Sequence, residues 1–327
     1  MERIYSSKEL SRLRSLLAEM DIFGISSMLC FLLGTPLNTV SLAHFYSSER
    51  KLKSTTYIYF LISVTDAVIC FLSLAPMVSY FLRGEAGILG KNLPCTIWDM
   101  MMEICVRYSL FLVALLSVCR TRAITNPLRV FRTRNIVWIA RGFFFLLLLQ
   151  ETLPAVILQQ FSTYIPDRLS CHFFGLEAVL NHIQKIIFKM TTFFGEIGIP
   201  MLVGGVSGGI CVCVLAAERD EHETGLVDTR KQRKRDATKT IVMVTALCVL
   251  LNLPIVCIAI AFTLKVEMSL KAIMISVDLT SSLMVLNSLF NSLIYFIRIR
   301  RMRIFAKRVL VDRLFSYFPE DMKVCRS

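Results

Sequence analysis

Five ionisable side chains stand where a water-soluble fold would not place them. Glu103 and Arg107 lie one helical turn apart within an apolar stretch, acid first, the favourable order for an ion pair along a helix. Glu151 in LLQETLP and Glu196 in FFGEIGIP occupy two further apolar stretches, and Asp66 in LISVTDAV a third. A carboxylate at mid-membrane costs at least ~2.5–3.5 kcal/mol unless it is satisfied, so such groups face a bundle interior or a water-filled cavity. There they bind an ion, a proton or a polar ligand. Hydrolytic chemistry finds no support. His44 and His172 stand alone, His182 and His222 are at loop ends, and neither H-E-x-x-H nor G-x-S-x-G occurs. The eleven cysteines contain no C-x-x-C zinc spacing.

The elements that must carry these groups are seven apolar runs, at 22–46, 57–82, 96–119, 136–160, 187–217, 239–264 and 272–297. Each is long enough to cross a ~30 Å hydrocarbon core as a tilted helix, and the backbone in lipid must satisfy itself internally. The chain is 55% hydrophobic and 19% charged, with mean hydropathy +0.62. A soluble domain averages about 45–50% apolar and about 25% charged. The expected fold is therefore an all-α membrane protein, a seven-transmembrane helix bundle. Residues 1–21 form a tail, 22–297 the membrane domain and 298–327 a basic terminal segment. Residues 1–21 are of mixed charge and the first run is too long for a signal core, so it is expected to act as its own insertion signal.

The net charge of +13 does not indicate nucleic acid, because it is confined to the gaps between runs. With the N-terminus outside, 25 Lys and Arg fall on inner segments and 11 on outer ones, with Arg107 inside the third run. That split predicts N-out, C-in. RKQRKR at 230–235 then reads as a solvated inner face able to touch anionic lipid. Most cysteines read as small buried hydrophobes. Cys95 and Cys171 instead face the oxidising side, where a disulfide joining the third helix to the outer loop is expected.

A rise of 1.5 Å per residue sets depths. Cys95 and Arg120 are 25 residues apart, about 37 Å, so they mark opposite surfaces. Asn38, Asp66, Ser109 and Asn287 fall at nearly one depth, about 14–16 Å from the inner face. With Ser288 and Asn291 they form a candidate site for Na⁺ or a proton, the alternative being a water-filled packing network. Arg107 lies about 20 Å above the inner face, with Glu103, Glu151 and Glu196 at similar depth. This layer is either a clamp joining three helices or a cavity for a polar ligand. Met102 and Asp278 complete the candidate ligand set. Pro76, Pro154, Pro200 and Pro254 are expected to kink helices two, four, five and six.

In this order the motifs resemble those of the rhodopsin-like (class A) G-protein-coupled receptors over nearly the whole chain. Asn38 in LLGTPLNTV and Asp66 in LISVTDAV are similar to that family's helix-one asparagine and helix-two aspartate. CRTRAITNPL, with Arg120, Ile124, Pro127 and Leu128, resembles its Asp-Arg-Tyr segment. Cys171 matches its loop cysteine and Pro200 its helix-five proline. LNLP with Pro254 stands at the Cys-Trp-x-Pro position, and NSLIY, ending in Tyr295, at Asn-Pro-x-x-Tyr. IRIRRMRIFAKRVL looks like the short amphipathic helix eight of the family.

The resemblance implies a receptor that binds an outside ligand and activates a heterotrimeric G protein in the plasma membrane. Cys119, Arg120, Asn252, Pro254 and Tyr295 are its implied coupling and activation residues. No cofactor is implied beyond an allosteric Na⁺, and membrane lipids are the remaining partner. Met102 replaces the aspartate of amine receptors, and no lysine between Ala272 and Phe296 serves a retinal Schiff base. The ligand is thus expected to be small and polar, or a peptide. Cys119 replaces the acid before the arginine, Asn252 the tryptophan and Ser292 the helix-seven proline. Without that acid, Arg120 is expected to find another resting partner, such as Asp236, or to stay loose, giving ligand-independent signalling. A transporter or channel is the rival class. The sequence shows neither the inverted repeats nor the broken-helix pairs that many carriers use.

Overall fold

A computed structural model describes residues 22–48, 54–74, 92–126, 131–158, 197–220, 229–264 and 270–316. The regular elements among them are all helical. Helix α1 has two parts, Ile22–Leu29 and Thr35–Ser48, joined by a π turn at Cys30–Gly34. It is followed by α2 (Ser54–Leu72), α3 (Asn92–Thr125), α4 (Thr133–Leu158), α5 (Ile199–Asp220), α6 (Thr229–Thr263), α7 (Leu270–Arg298) and α8 (Arg300–Ser316). The first seven are long and apolar enough to cross a membrane. Helix α8 begins after a single non-helical residue, Ile299.

Several helices outrun their apolar stretches. Helix α3 starts at Asn92 and α6 at Thr229, the latter ten residues before its apolar run. An apolar run measures contact with lipid. The intrahelical bonds that continue a helix into water need no apolar side chain. The π turn in α1 has a local cause. Pro36 lacks an N–H, so the ladder cannot continue normally through it. Thr35 donates its N–H to the Cys30 carbonyl, five residues back. Pro254 lies inside α6 as expected. Pro200 stands at the second position of α5, just after a π turn at 197–198 that leads into it, Pro154 lies in the last turns of α4, and Pro76 lies outside the described residues.

Helix α3 is the most buried span and α4 the least, so α3 forms the axis. Its inner neighbours are drawn in by small residues. A Cβ on Gly204 would lie 3.6 Å from the Ala114 backbone, and one on Gly208 3.4 Å from Thr245 Cγ2, so α5 packs closely on α3 and α6. At Gly34, α1 meets α2 so tightly that a Cβ would stand 2.5 Å from Cys70 Sγ. Trp98 donates its ring N–H to the Leu72 carbonyl at 2.8 Å, joining α3 to the end of α2. The opposite faces are apolar and exposed, including Phe145 and Leu146 on α4, Leu202 and Val206 on α5 and Leu250 on α6. Such faces suit lipid; in water they would drive association.

Candidate functional site

Three polar assemblies lie along α3. The deepest surrounds Asp66, whose α2 position is fully buried. Ser109 donates its hydroxyl to one carboxylate oxygen at 2.8 Å, and Asn291 donates its amide to the other at 3.0 Å. These two bonds join α2, α3 and α7. Asn38 on α1 completes the layer, donating to the Gly34 carbonyl at 3.1 Å, the Ser288 carbonyl at 3.2 Å and Cys70 Sγ at 3.5 Å. The sequence offered Asn287 and Asn291, one turn apart. Asp66 takes Asn291. Among the described residues, three buried oxygens of this layer have no hydrogen bond: Asn38 Oδ1, Asn287 Oδ1 and Asn291 Oδ1.

The second assembly sits nearer the Cys95 end. Arg107 Nη2 pairs with Glu103 Oε2 at 2.9 Å, and its Nη1 pairs closely with Glu151 Oε1. One guanidinium thus holds two carboxylates and ties α3 to α4. The side chains of Arg107 and Glu151 are 11% and 20% exposed, whereas Glu103 is 41% exposed and forms the open edge. Of the three-helix clamp expected from sequence, the described residues contain the part joining α3 to α4, two carboxylates on one guanidinium. Asp278 is engaged elsewhere, accepting the backbone N–H of Phe23 at 3.2 Å where α7 meets the start of α1. Met102 packs in a buried apolar cluster with Ile69, Val106, Val285 and Leu289. Glu196 and Cys171 lie outside the described residues, as does the side chain of Cys95, so their proposed roles find no geometry here.

The third assembly is at the basic end. Arg120 donates its Nε–H to Thr238 Oγ1 on α6 at 2.8 Å. Asp236, the partner foreseen from sequence, is exposed, two residues before Thr238. Cys119 is buried beside Arg120. Further in, the Ser117 and Thr245 hydroxyls hydrogen-bond closely between α3 and α6. Thr238, Ile241, Thr245, Cys248 and Asn252 form a buried stripe on α6 at alternating steps of three and four residues. Sequence reading missed Thr238, Thr245 and Ser117. This seam pattern was the available signal, and it fixes which threonines face α3. Asn252 donates to the Cys248 carbonyl at 2.8 Å, within its own helix. Tyr295 is buried edge-on to Tyr59 (5.1 Å between ring centroids) and Phe45 (6.1 Å), and its hydroxyl has no hydrogen bond among the described residues.

Seven spans, a polar core shared by α1, α2, α3 and α7, and an arginine bonding α3 to α6 define a class of signalling receptor. The chain matches the family model described as 7 transmembrane receptor (rhodopsin family) over residues 38–295. The match runs from Asn38 to Tyr295 and takes in most of the chain, so the protein belongs to the rhodopsin family of G-protein-coupled receptors. Its relatives include cysteinyl leukotriene receptor 2 of Homo sapiens, 25% identical over 182 residues, which are 53% of this chain and 51% of that receptor. Cysteinyl leukotriene receptor 2 of Sus scrofa is 24% identical over 307 residues, 90% of this chain and 81% of that protein. The human alignment thus spans about half of that receptor, the pig alignment most of it. The family is one of receptors rather than enzymes or carriers, and makes this chain a multi-pass protein of the plasma membrane.

Proposed function

We propose that this receptor takes a ligand at its Cys95 end, outside the cell, and activates a heterotrimeric G protein at its basic end, in the cytosol. The observation that carries this reading is the bond from Arg120 to Thr238, which closes α3 against α6 where the basic residues gather. A ligand that prefers the open arrangement shifts the population toward it by its differential affinity. Opening at this end separates Arg120 from Thr238 and offers the guanidinium to the G protein. Thr238 thus takes over the restraint that an acid at position 119 would supply.

The ligand is assigned to the layer of Glu103, Arg107 and Glu151, with Glu196, Met102 and Asp278 as further candidates. The relatives are named for cysteinyl leukotrienes. At 24–25% identity that name transfers less well than the local chemistry, which favours a small polar ligand or a peptide. The Asp66 layer is assigned to an allosteric Na⁺. Its carboxylate and the side-chain oxygens of Asn38, Asn287, Asn291 and Ser288 are hard donors that suit such an ion. Asp66, Ser109 and Asn291 would hold it, and its charge would offset a buried carboxylate in the resting bundle.

The test is a second-messenger panel in cells expressing the full chain, screened with small polar compounds and peptides. A G-protein response that disappears in Arg120→Ala is expected. Substrate flux in cells lacking G proteins would overturn the proposal.

A further inference from the structure

A cavity of about 310 Å³ opens at the basic end between α3 and α5, lined by Val118, Thr121, Arg122, Thr125, Asn126 and Ser207. At 100° per residue its α3 residues centre nearly opposite Arg120, so it is separate from the α3–α6 contact. We propose that this cavity holds the phosphate of an anionic phospholipid from the cytosolic leaflet, with Arg122 as its cation.

Four observations converge on that ligand. Among the described residues, the lining contains a guanidinium, an amide and hydroxyls, and no carboxylate. Two of those hydroxyls already donate inward, Thr121 to the Ser207 carbonyl at 2.9 Å and Thr125 to the Thr121 carbonyl at 3.0 Å. The in-plane N–H groups of Arg122 and the amide of Asn126 are donors of the kind an acceptor-rich ligand uses, which is what a phosphate is. Arg122 is also pre-positioned, its guanidinium carbon lying 4.4 Å from the centroid of the Phe131 ring. Stacking uses the face of the guanidinium, whereas phosphate recognition uses its in-plane N–H groups, so the two are compatible. Finally, Val203, one turn deeper than Ser207 on the same side of α5, is 39% exposed, giving an acyl chain an apolar wall below the polar mouth. A free phosphate would have no use for that wall. The depth agrees: Val118 to Asn126 covers about 12 Å of the last turns of α3, where its apolar run ends. Basic pockets between helices at this level are suited to lipid headgroups. The proposal needs the basic end to be cytosolic and is otherwise independent of ligand and G protein.

The experiment is native mass spectrometry of the full-length receptor with phosphatidylserine and phosphatidylcholine in competition. Wild type should retain phosphatidylserine preferentially. Arg122→Gln should reduce that preference about fivefold, the value of one basic side chain at an anionic surface. Arg141→Gln, which removes a charge on α4 outside the cavity, should leave the preference intact. Asn126→Ala, which keeps every charge and removes the amide donor, should weaken it and serves if Arg122→Gln does not fold. Equal losses in Arg122→Gln and Arg141→Gln would reduce the effect to general surface charge and overturn the proposal. So would thermal stabilisation of wild type by inorganic phosphate alone to the level given by phosphatidylserine, which would make this a free-anion site. Unchanged lipid retention with lowered nucleotide exchange in Arg122→Gln would give the cavity to the G protein, and would equally overturn it.

Discussion

Replacing Thr238 by valine removes one oxygen and keeps the branched shape of the side chain. In the structure that oxygen accepts the Nε–H of Arg120 at 2.8 Å, at a position only 2% exposed. A hydrogen bond to a charged group contributes about 1.5–3 kcal/mol. If the bond exists only in the closed arrangement, its loss moves the closed-to-open ratio by about ten- to a hundredfold, at 1.4 kcal/mol per tenfold. A receptor about 1% open, within the usual range of minor states, would become about one-tenth to one-half open. Arg120 has further interactions beyond this bond, which favours the lower figure. The assay is ligand-free second-messenger output at matched surface expression, for wild type, Thr238→Val and Thr238→Ser. Valine should raise it severalfold, and serine, which keeps the acceptor oxygen, should stay near wild type. Equal output from valine and wild type would refute the reasoning, because the bond would then not distinguish the two arrangements.

Other residues give independent checks. Gly34→Ala should lower the melting temperature, since its Cβ would stand 2.5 Å from Cys70 Sγ and overpacking costs about 1–3 kcal/mol. Adding Cys70→Ala removes the sulfur and leaves a 3.5 Å contact, so the double variant should recover; no recovery would place the strain elsewhere. Asp66→Asn should abolish any stabilisation of the receptor by Na⁺ over K⁺ in thermal melts, and a persistent Na⁺ effect would move the ion away from Asp66. Glu151→Gln should destabilise by about 1–3 kcal/mol, between the values for exposed and buried pairs, because Arg107 keeps Glu103. Arg107→Met should be worse, since it leaves two neighbouring carboxylates without their cation. A milder effect in Arg107→Met would mean that Arg107 is not the centre of the clamp.

The spans and their polar layers were legible because lipid demands long apolar helices and makes each intramembrane charge conspicuous. Depth counting alone brought Asp66, Ser109 and the α7 amides together. It set Asn287 level with Asp66 and Asn291 a turn nearer the inner face, whereas Asp66 bonds Asn291, because the pairing depends on how far α7 is rotated and tilted against α2. The π turn was signalled by Pro36, but a proline fixes only the missing bond, not how the ladder closes around it. Thr238 was hidden for another reason. It lies in a polar stretch that reads as solvated, and only the seam continuing through Thr245 to Asn252 shows that the stretch is already helix, with one face against α3. Asp236 looked better by charge, yet two residues along a helix turn a side chain by about 200°. Helical phase outweighed charge.

On the proposed reading the basic end acts on a G protein, and Thr238 restrains Arg120 in place of an acid at 119. The most direct test is ligand-free nucleotide exchange on a panel of purified heterotrimeric G proteins, using wild type and Cys119→Asp in lipid nanodiscs. Wild type should exceed the receptor-free rate on at least one G protein, and Cys119→Asp should fall toward it as the new carboxylate pairs with Arg120. Wild type at the receptor-free rate across the panel, or Cys119→Asp at or above wild type, would contradict the account.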